Sequence, residues 1–136
     1  MPQIKEVMTP NPTACEPSTG IVDVARMMRE EDAGAIPIVE GGRLVGMVTD
    51  RDIVVRALAD GRDPQSTTVG EIASKNVVAV EPDDDLGRAL ELMGERQVRR
   101  LPVVEDDRLI GIVAQADIAR HGSDRKTGQV VEEISK

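Results

Sequence analysis

The chain contains no phenylalanine, tyrosine or tryptophan. Aromatic rings supply the stacking platforms of single-stranded nucleic-acid binders and of many nucleotide pockets. Any base held here must therefore lie against aliphatic side chains or backbone. One cysteine, Cys15, and one histidine, His121, exclude an intrachain disulfide and argue against a cysteine- or histidine-built metal centre. No apolar run approaches the roughly 18 residues that cross a bilayer. The sequence also starts at Met1 to Ile4 without a basic, hydrophobic leader, so a cytoplasmic protein without a membrane partner is expected. Positive charge is scarce as well: 17 lysines and arginines face 25 aspartates and glutamates, a formal net charge of -8. That field opposes general attraction to phosphate backbones and anionic lipid. Nucleic acid is not an expected partner, and an anionic ligand needs a local cationic patch.

What the chain does have is a repeat. When Ile4 is laid over Val69, the stretch Ile4 to Ile53 aligns without a gap on Val69 to Ile118. Roughly a third of the positions are then identical, far above chance for this composition. The identities include Glu6/Glu71, Asn11/Asn76, Pro17/Pro82, Met28/Met93, Pro37/Pro102, Gly46/Gly111 and Asp52/Asp117. Ile36/Leu101, Val45/Ile110 and Met47/Ile112 extend the match to the pattern that builds a core. The 136 residues thus divide into a first motif at 1–62, a linker at 63–68, a second motif at 69–122 and a polar tail at 123–136.

Each copy reads as βαββα. A helical or irregular lead-in precedes a brief strand, Thr13 to Glu16 or Val77 to Glu81, that stops at Pro17 or Pro82. Ile21, Val24, Ala25 and Met28, and Leu86, Ala89, Leu90 and Met93, then follow helical spacing. Two hairpins come next, Ala35 to Glu40 with Arg43 to Val48 and Arg100 to Glu105 with Arg108 to Val113. Gly41-Gly42 is a far stronger two-residue turn signal than Asp106-Asp107. Closing helices are expected at Asp50 to Ala59 and Gln115 to Arg120. In the first, Ile53, Val54, Val55, Ala57 and Leu58 wrap more than one face. That apolar surface calls for a cover, either the second repeat or, the favoured reading, a second copy of the chain.

Two segments carry chemistry. In Gly46-Met47-Val48-Thr49-Asp50-Arg51-Asp52 a strand passes into a helix, and Thr49 and Asp52 gather at the helix start. The spacing suits a capping box and equally a carboxylate that accepts the two hydroxyls of a ribose; the roles are compatible. Gly46 lets another backbone or a ligand come close. In Arg96-Gln97-Val98-Arg99-Arg100-Leu101-Pro102, adjacent guanidinium groups suit phosphate, or are solvated or paired with carboxylates such as Glu95. Their counterparts are Gly34 and Ala35, so the fold does not require charge there. No nucleophile–histidine pair, phosphate-cradling glycine loop or metal-ligand cluster stands out, and an enzyme is not expected. Asp83-Asp84-Asp85 reads as a solvated helix start, Cys15 as a small core or cleft residue, and His121 as a surface residue.

These features together resemble the cystathionine β-synthase (CBS) domain pair, or Bateman module, of the stand-alone bacterial kind, over residues 4–121. The resemblance implies an α/β (α+β) fold in which tandem βαββα motifs pack sheet to sheet about a pseudo-twofold axis, commonly in a homodimer. It implies a regulatory module that binds AMP, ADP, ATP or S-adenosylmethionine and requires no cofactor or metal. By its pattern Thr49 and Asp52 hold ribose and face Arg99 and Arg100, which hold phosphate, across one cleft. Val77, Val78, Val80 and Leu101 become walls for adenine. In the other cleft Asp117 remains, but Ala114 replaces the threonine and Gly34 offers no cation, so one competent site per chain is expected. An unidentified regulated protein would be the downstream partner. The other reading is a ligand-free structural adaptor that docks a partner protein.

Overall fold

The structure is a computed structural model and describes residues 2–121; the expected tail at 123–136 lies outside the described residues. In chain order come a 3-10 turn (Ile4–Glu6), β1 (Thr9–Pro10), α1 (Ile21–Glu31), β2 (Ala35–Glu40), β3 (Arg43–Thr49) and α2 (Asp50–Asp52), which runs on into a π-helical segment (Ile53–Leu58). After α3 (Val69–Ile72) come α4 (Leu86–Arg96), β4 (Arg100–Glu105), β5 (Arg108–Ala114) and α5 (Gln115–His121). This is the mixed α and β architecture that the repeat pattern predicts.

The chain forms two compact units. Thr13–Val77 is one; the other joins, among the described residues, 78–121 to the segment that ends at Pro12. In the first, the helical spacing of α1 buries Ile21, Val24 and Met28 against Ile36 and Ile38 of β2 and Val48 of β3, with Cys15 and Ala57. Asp32 ends the helix in the left-handed region at φ 50. The β2–β3 hairpin turns on Gly41 and Gly42, both at positive φ, as a two-residue turn of matching twist requires. In the second unit α4 buries Leu86, Ala89, Leu90 and Met93 against Leu101, Val103 and Val113, with Ile118. Its hairpin turns on Asp106 and Asp107 at φ 53 and 65, so the weaker turn signal makes the same turn without glycine.

The lead-ins reverse the order of the repeats. Val69 and Ile72 of α3 are buried in the core around α1, whereas Ile4 is buried in the core around α4. Several repeat identities acquire a cause from this exchange. The Pro17 carbonyl accepts the Gly70 N–H and the Pro82 carbonyl accepts the Lys5 N–H, each at 3.0 Å. Glu6 and Glu71 close capping boxes, accepting the N–H of Gln3 at 2.6 Å and of Thr68 at 2.7 Å. A Cβ on Gly46 would lie 3.0 Å from the Ser74 carbonyl oxygen, and one on Gly111 would lie 3.1 Å from that of Thr9. Lead-in backbone occupies that space.

Three details differ from the sequence-based expectation. The opening strands shrink to single parallel bridges, Cys15 with Ile38 and Val80 with Val103. Pro37 and Pro102 on the facing strands have no N–H to extend a ladder, and their carbonyls accept from Cys15 and Val80. The first lead-in, read as helical or irregular, ends in a short strand, with β1 pairing Thr9 with Ile112 and Pro10 with Gly111. The first closing helix keeps α geometry only to Asp52. Beyond it the Ala59 N–H reaches the Val54 carbonyl at 2.9 Å and the Arg62 N–H reaches Ala57 at 3.0 Å, the five-residue step of a π-helix.

Candidate functional site

Both repeats pass from strand to helix through the same backbone tether. The Asp50 N–H donates to the Gly34 carbonyl at 2.9 Å, and the Gln115 N–H donates to the Arg99 carbonyl at 2.8 Å. What hangs on the tether differs.

At the first junction Thr49 and Asp52 form a reciprocal capping box. The Asp52 N–H donates to Thr49 Oγ1 at 3.0 Å, and the Thr49 N–H donates to Asp52 Oδ2 at 2.9 Å. The capping reading is therefore realised, and the carboxylate is fixed at its N-terminal helix position. Among the described residues Asp52 Oδ1 keeps only a loose ion pair with Arg56 Nε at 3.8 Å, beyond hydrogen-bond length, and the Asp52 side chain is 14% exposed. No hydrogen bond among the described residues engages Oδ1 or the Thr49 hydroxyl proton, so both can serve a ligand. Arg56 in turn donates from Nη1 to the Ile72 carbonyl at 3.2 Å. Gly34 leaves room for Asp50, since a Cβ there would meet Asp50 Oδ2 at 3.0 Å. Of the two uses open to Gly46, close approach by backbone is the one observed.

At the second junction Ala114 is buried and carries no hydroxyl to cap with, and Asp117 is paired with Arg120. Arg99 is exposed and Arg100 half-buried at the start of β4. Among the described residues neither has an ion-pair partner, and Glu95 does not engage them. Val80 and Leu101 lie in the core of their own unit at 2% exposure, whereas Val77 and Val78 are half-buried and keep surface that a ligand could cover.

The acidic run at 83–85 and Cys15 have structural partners. Asp85 caps α4 by accepting the Arg88 N–H at 2.9 Å, Asp84 accepts the Glu81 N–H at 2.9 Å, and Asp83 pairs with Lys5 at 2.9 Å. That pairing raises the Lys5 pKa. Cys15 is buried, its thiol faces the Pro37 carbonyl, and burial pushes its pKa up to about 11, which keeps the thiolate scarce at neutral pH. His121 is exposed. Among the described residues no cluster of three or more possible metal ligands occurs, and no helix is long and apolar enough to cross a membrane.

Sequence reasoning missed Arg56. Its signal was present: a lone arginine in the run Ile53 to Leu58, four residues beyond Asp52.

A family profile described as the CBS domain matches residues 4–58 and 69–124. The chain belongs to the CBS-domain family. A CBS domain-containing protein of Bacillus subtilis, YhcV, is 41% identical over 136 residues, which cover 99% of this chain and 96% of that protein. Hypoxic response protein 1 of Mycobacterium tuberculosis is 41% identical over 98% of this chain and 94% of its own. A crystal structure of hypoxic response protein I with two coordinated zinc ions superposes with a TM-score of 0.82 at 42% identity, covering 88% of this chain and 98% of that one. The CBS domain pair of MJ0100, solved with 5'-methylthioadenosine and S-adenosylmethionine, gives 0.77 at 28% identity over 89% and 95% of the two chains. CBSX2 solved with AMP gives 0.76 at 26% identity over 88% and 94%. CBS domains are generally regulatory and non-catalytic.

Proposed function

We propose that the chain is a non-catalytic regulatory module that binds one adenine nucleotide or related adenosyl compound. In this reading Thr49 and Asp52 take the ribose. The observation that carries it is the inequality of the two junctions. One presents a mostly buried carboxylate held in a reciprocal capping box with Thr49 and flanked by Arg56; the other lacks the hydroxyl, and among the described residues its aspartate pairs with Arg120 outside any such box. Support for the ligand class comes from family members solved with AMP and with S-adenosylmethionine. AMP, ADP, ATP and S-adenosylmethionine are the candidates. Val77 and Val78 offer aliphatic surface for the base.

Titration calorimetry with AMP, ATP and S-adenosylmethionine tests this directly. One site per chain is expected. Two equivalent sites would contradict the inequality, and no binding by any of them would favour the ligand-free adaptor.

The signal is read out, in this proposal, through a homodimer that reports to a partner protein. Val54, Val55 and Leu58 on the π-helical segment are 56%, 44% and 53% exposed, an apolar face that the chain leaves uncovered among the described residues. A second copy is the proposed cover. Leu58→Asp should convert the dimer to a monomer in sedimentation velocity; an unchanged sedimentation coefficient would count against this face.

A further inference from the structure

Arg56 links three features that lie within the single unit Thr13–Val77. Its Nε stands 3.8 Å from Asp52 Oδ1 in a loose ion pair, and its Nη1 donates to the Ile72 carbonyl at 3.2 Å. It also sits inside the π-helical segment Ile53–Leu58 that exposes Val54, Val55 and Leu58. Ile72 ends α3, the short helix that closes the core of this unit, and its carbonyl is among those a helix end leaves without an internal partner. A planar guanidinium can serve a carboxylate and a carbonyl at once from different nitrogens, which an ammonium on a flexible stem does poorly. Among the described residues the second repeat shows no such bridge: the position equivalent to Arg56 is His121, and its aspartate pairs instead with Arg120, the counterpart of Val55.

We propose that Arg56 is a positioning residue that couples occupancy at Asp52 to the Ile72 carbonyl and to the π-helical segment. The proposal rests on the reading of Asp52 as a ribose ligand. Hydroxyls that donate to Asp52 Oδ1 compete with Arg56 for that oxygen. Released from a contact already longer than a hydrogen bond, the guanidinium commits its donors to Ile72, and the end of α3 is drawn tighter against the segment. A ligand shifts a conformational equilibrium only through such a differential contact. Here the contact exchanged is the Asp52–Arg56 pair. Short π-helical turns occur often at functional sites, and this one starts at the residue after Asp52 and itself carries the exposed apolar face.

Hydrogen exchange on the full chain, with and without saturating AMP and with ATP and S-adenosylmethionine in parallel, reads the coupling at three amides. Ala59 bonds Val54, Arg62 bonds Ala57, and Ala73 bonds Val69. In the unsubstituted protein AMP should slow their exchange at least about fivefold, the lower range of allosteric couplings. Arg56→Lys keeps the charge but not the planar fork. It should bind AMP within about threefold of the unsubstituted protein by calorimetry, yet lose the slowed exchange, a split that a purely structural role for Arg56 would not produce. Because the Arg56 side chain is 55% exposed, the variant should keep the fold, with thermal unfolding and far-UV dichroism as the check. AMP binding with equal slowing in Arg56→Lys, or AMP binding without slowing in the unsubstituted protein, would overturn the coupling while leaving the ligand reading intact. Failure of all three compounds to bind would overturn both.

Discussion

The two strand-to-helix junctions share a backbone and differ in side chains. Asp50 and Gln115 donate to the carbonyls of Gly34 and Arg99 in nearly the same geometry, so the tether belongs to the fold. Thr49 and Asp52 cap one helix, while Ala114 leaves the other without a side-chain cap and Asp117 turns to Arg120. Duplication supplied two equivalent scaffolds, and among the described residues one of them carries a reciprocal side-chain capping box at this junction and the other does not. Positions such as Pro17/Pro82 and Gly46/Gly111, identical between repeats, hold the fold, and the proposed function rests on how the surroundings of Asp52 and Asp117 differ.

The strongest way to break this comparison is at the exchanged lead-ins. Ile4 is fully buried in one core and Ile72 is 2% exposed in the other, so each should behave as an ordinary core residue of the unit it packs in. Ile4→Ala and Ile72→Ala should each destabilise by about 2 to 5 kcal/mol, the range for truncating a buried aliphatic side chain. Urea denaturation monitored by far-UV dichroism measures it. A cost below about 1 kcal/mol for either would show that the lead-in does not close that core.

Cys15 and its counterpart Val80 give a sharper contrast, because they occupy equivalent buried bridges and only one titrates. The folded thiol has its pKa raised from 9.0 to about 11 by burial. Above the unfolded value the unfolded chain has lost its proton while the folded chain still holds it, so stability falls as pH rises. The loss should reach about 2 to 3 kcal/mol between pH 9 and 11. Comparison of the protein with Cys15→Val by chemical denaturation across that window isolates the effect. The variant should lack this component, and identical pH profiles would refute it.

The hairpin turns should show the smallest difference. Gly41 and Gly42 meet the left-handed requirement without a Cβ, whereas Asp106 and Asp107 meet it at φ 53 and 65 with one. Asp107→Gly should stabilise by about 0.5 to 1 kcal/mol and Gly42→Asp should cost about as much, because the left-handed region is unfavourable to a residue with a Cβ. Thermal unfolding of the two variants reads both signs, and equal shifts in one direction would contradict the symmetry.

Much of this was legible in the sequence, for physical reasons that are specific to each element. The spacing of Ile21, Val24 and Met28 and of Leu86, Leu90 and Met93 fixes helices through the face each must bury, and the hairpins follow from short apolar runs around two-residue turns. The capping box was legible because Thr49 and Asp52 stand at the one spacing it needs. The lead-in exchange was not, since Ile4 and Val69 are interchangeable in shape and chemistry and nothing local states which copy of the core will receive them. Nor was the π-helical pitch: Ile53, Val54 and Val55 read only as a broad apolar helix, and a hydrogen-bond step of five leaves no mark in the apolar pattern. Arg56 escaped notice for the related reason that its partner Ile72 lies in the second repeat's lead-in.

The inequality of the junctions is tested most directly by removing each aspartate in turn and measuring affinity for AMP by titration calorimetry. Asp52→Ala should weaken binding about tenfold to a hundredfold, the loss of roughly 1.5 to 3 kcal/mol expected for a hydrogen bond to a charged group. Asp117→Ala should leave the affinity within about twofold and the stoichiometry at one per chain. Equal losses from the two substitutions, or binding unchanged in Asp52→Ala, would contradict the account.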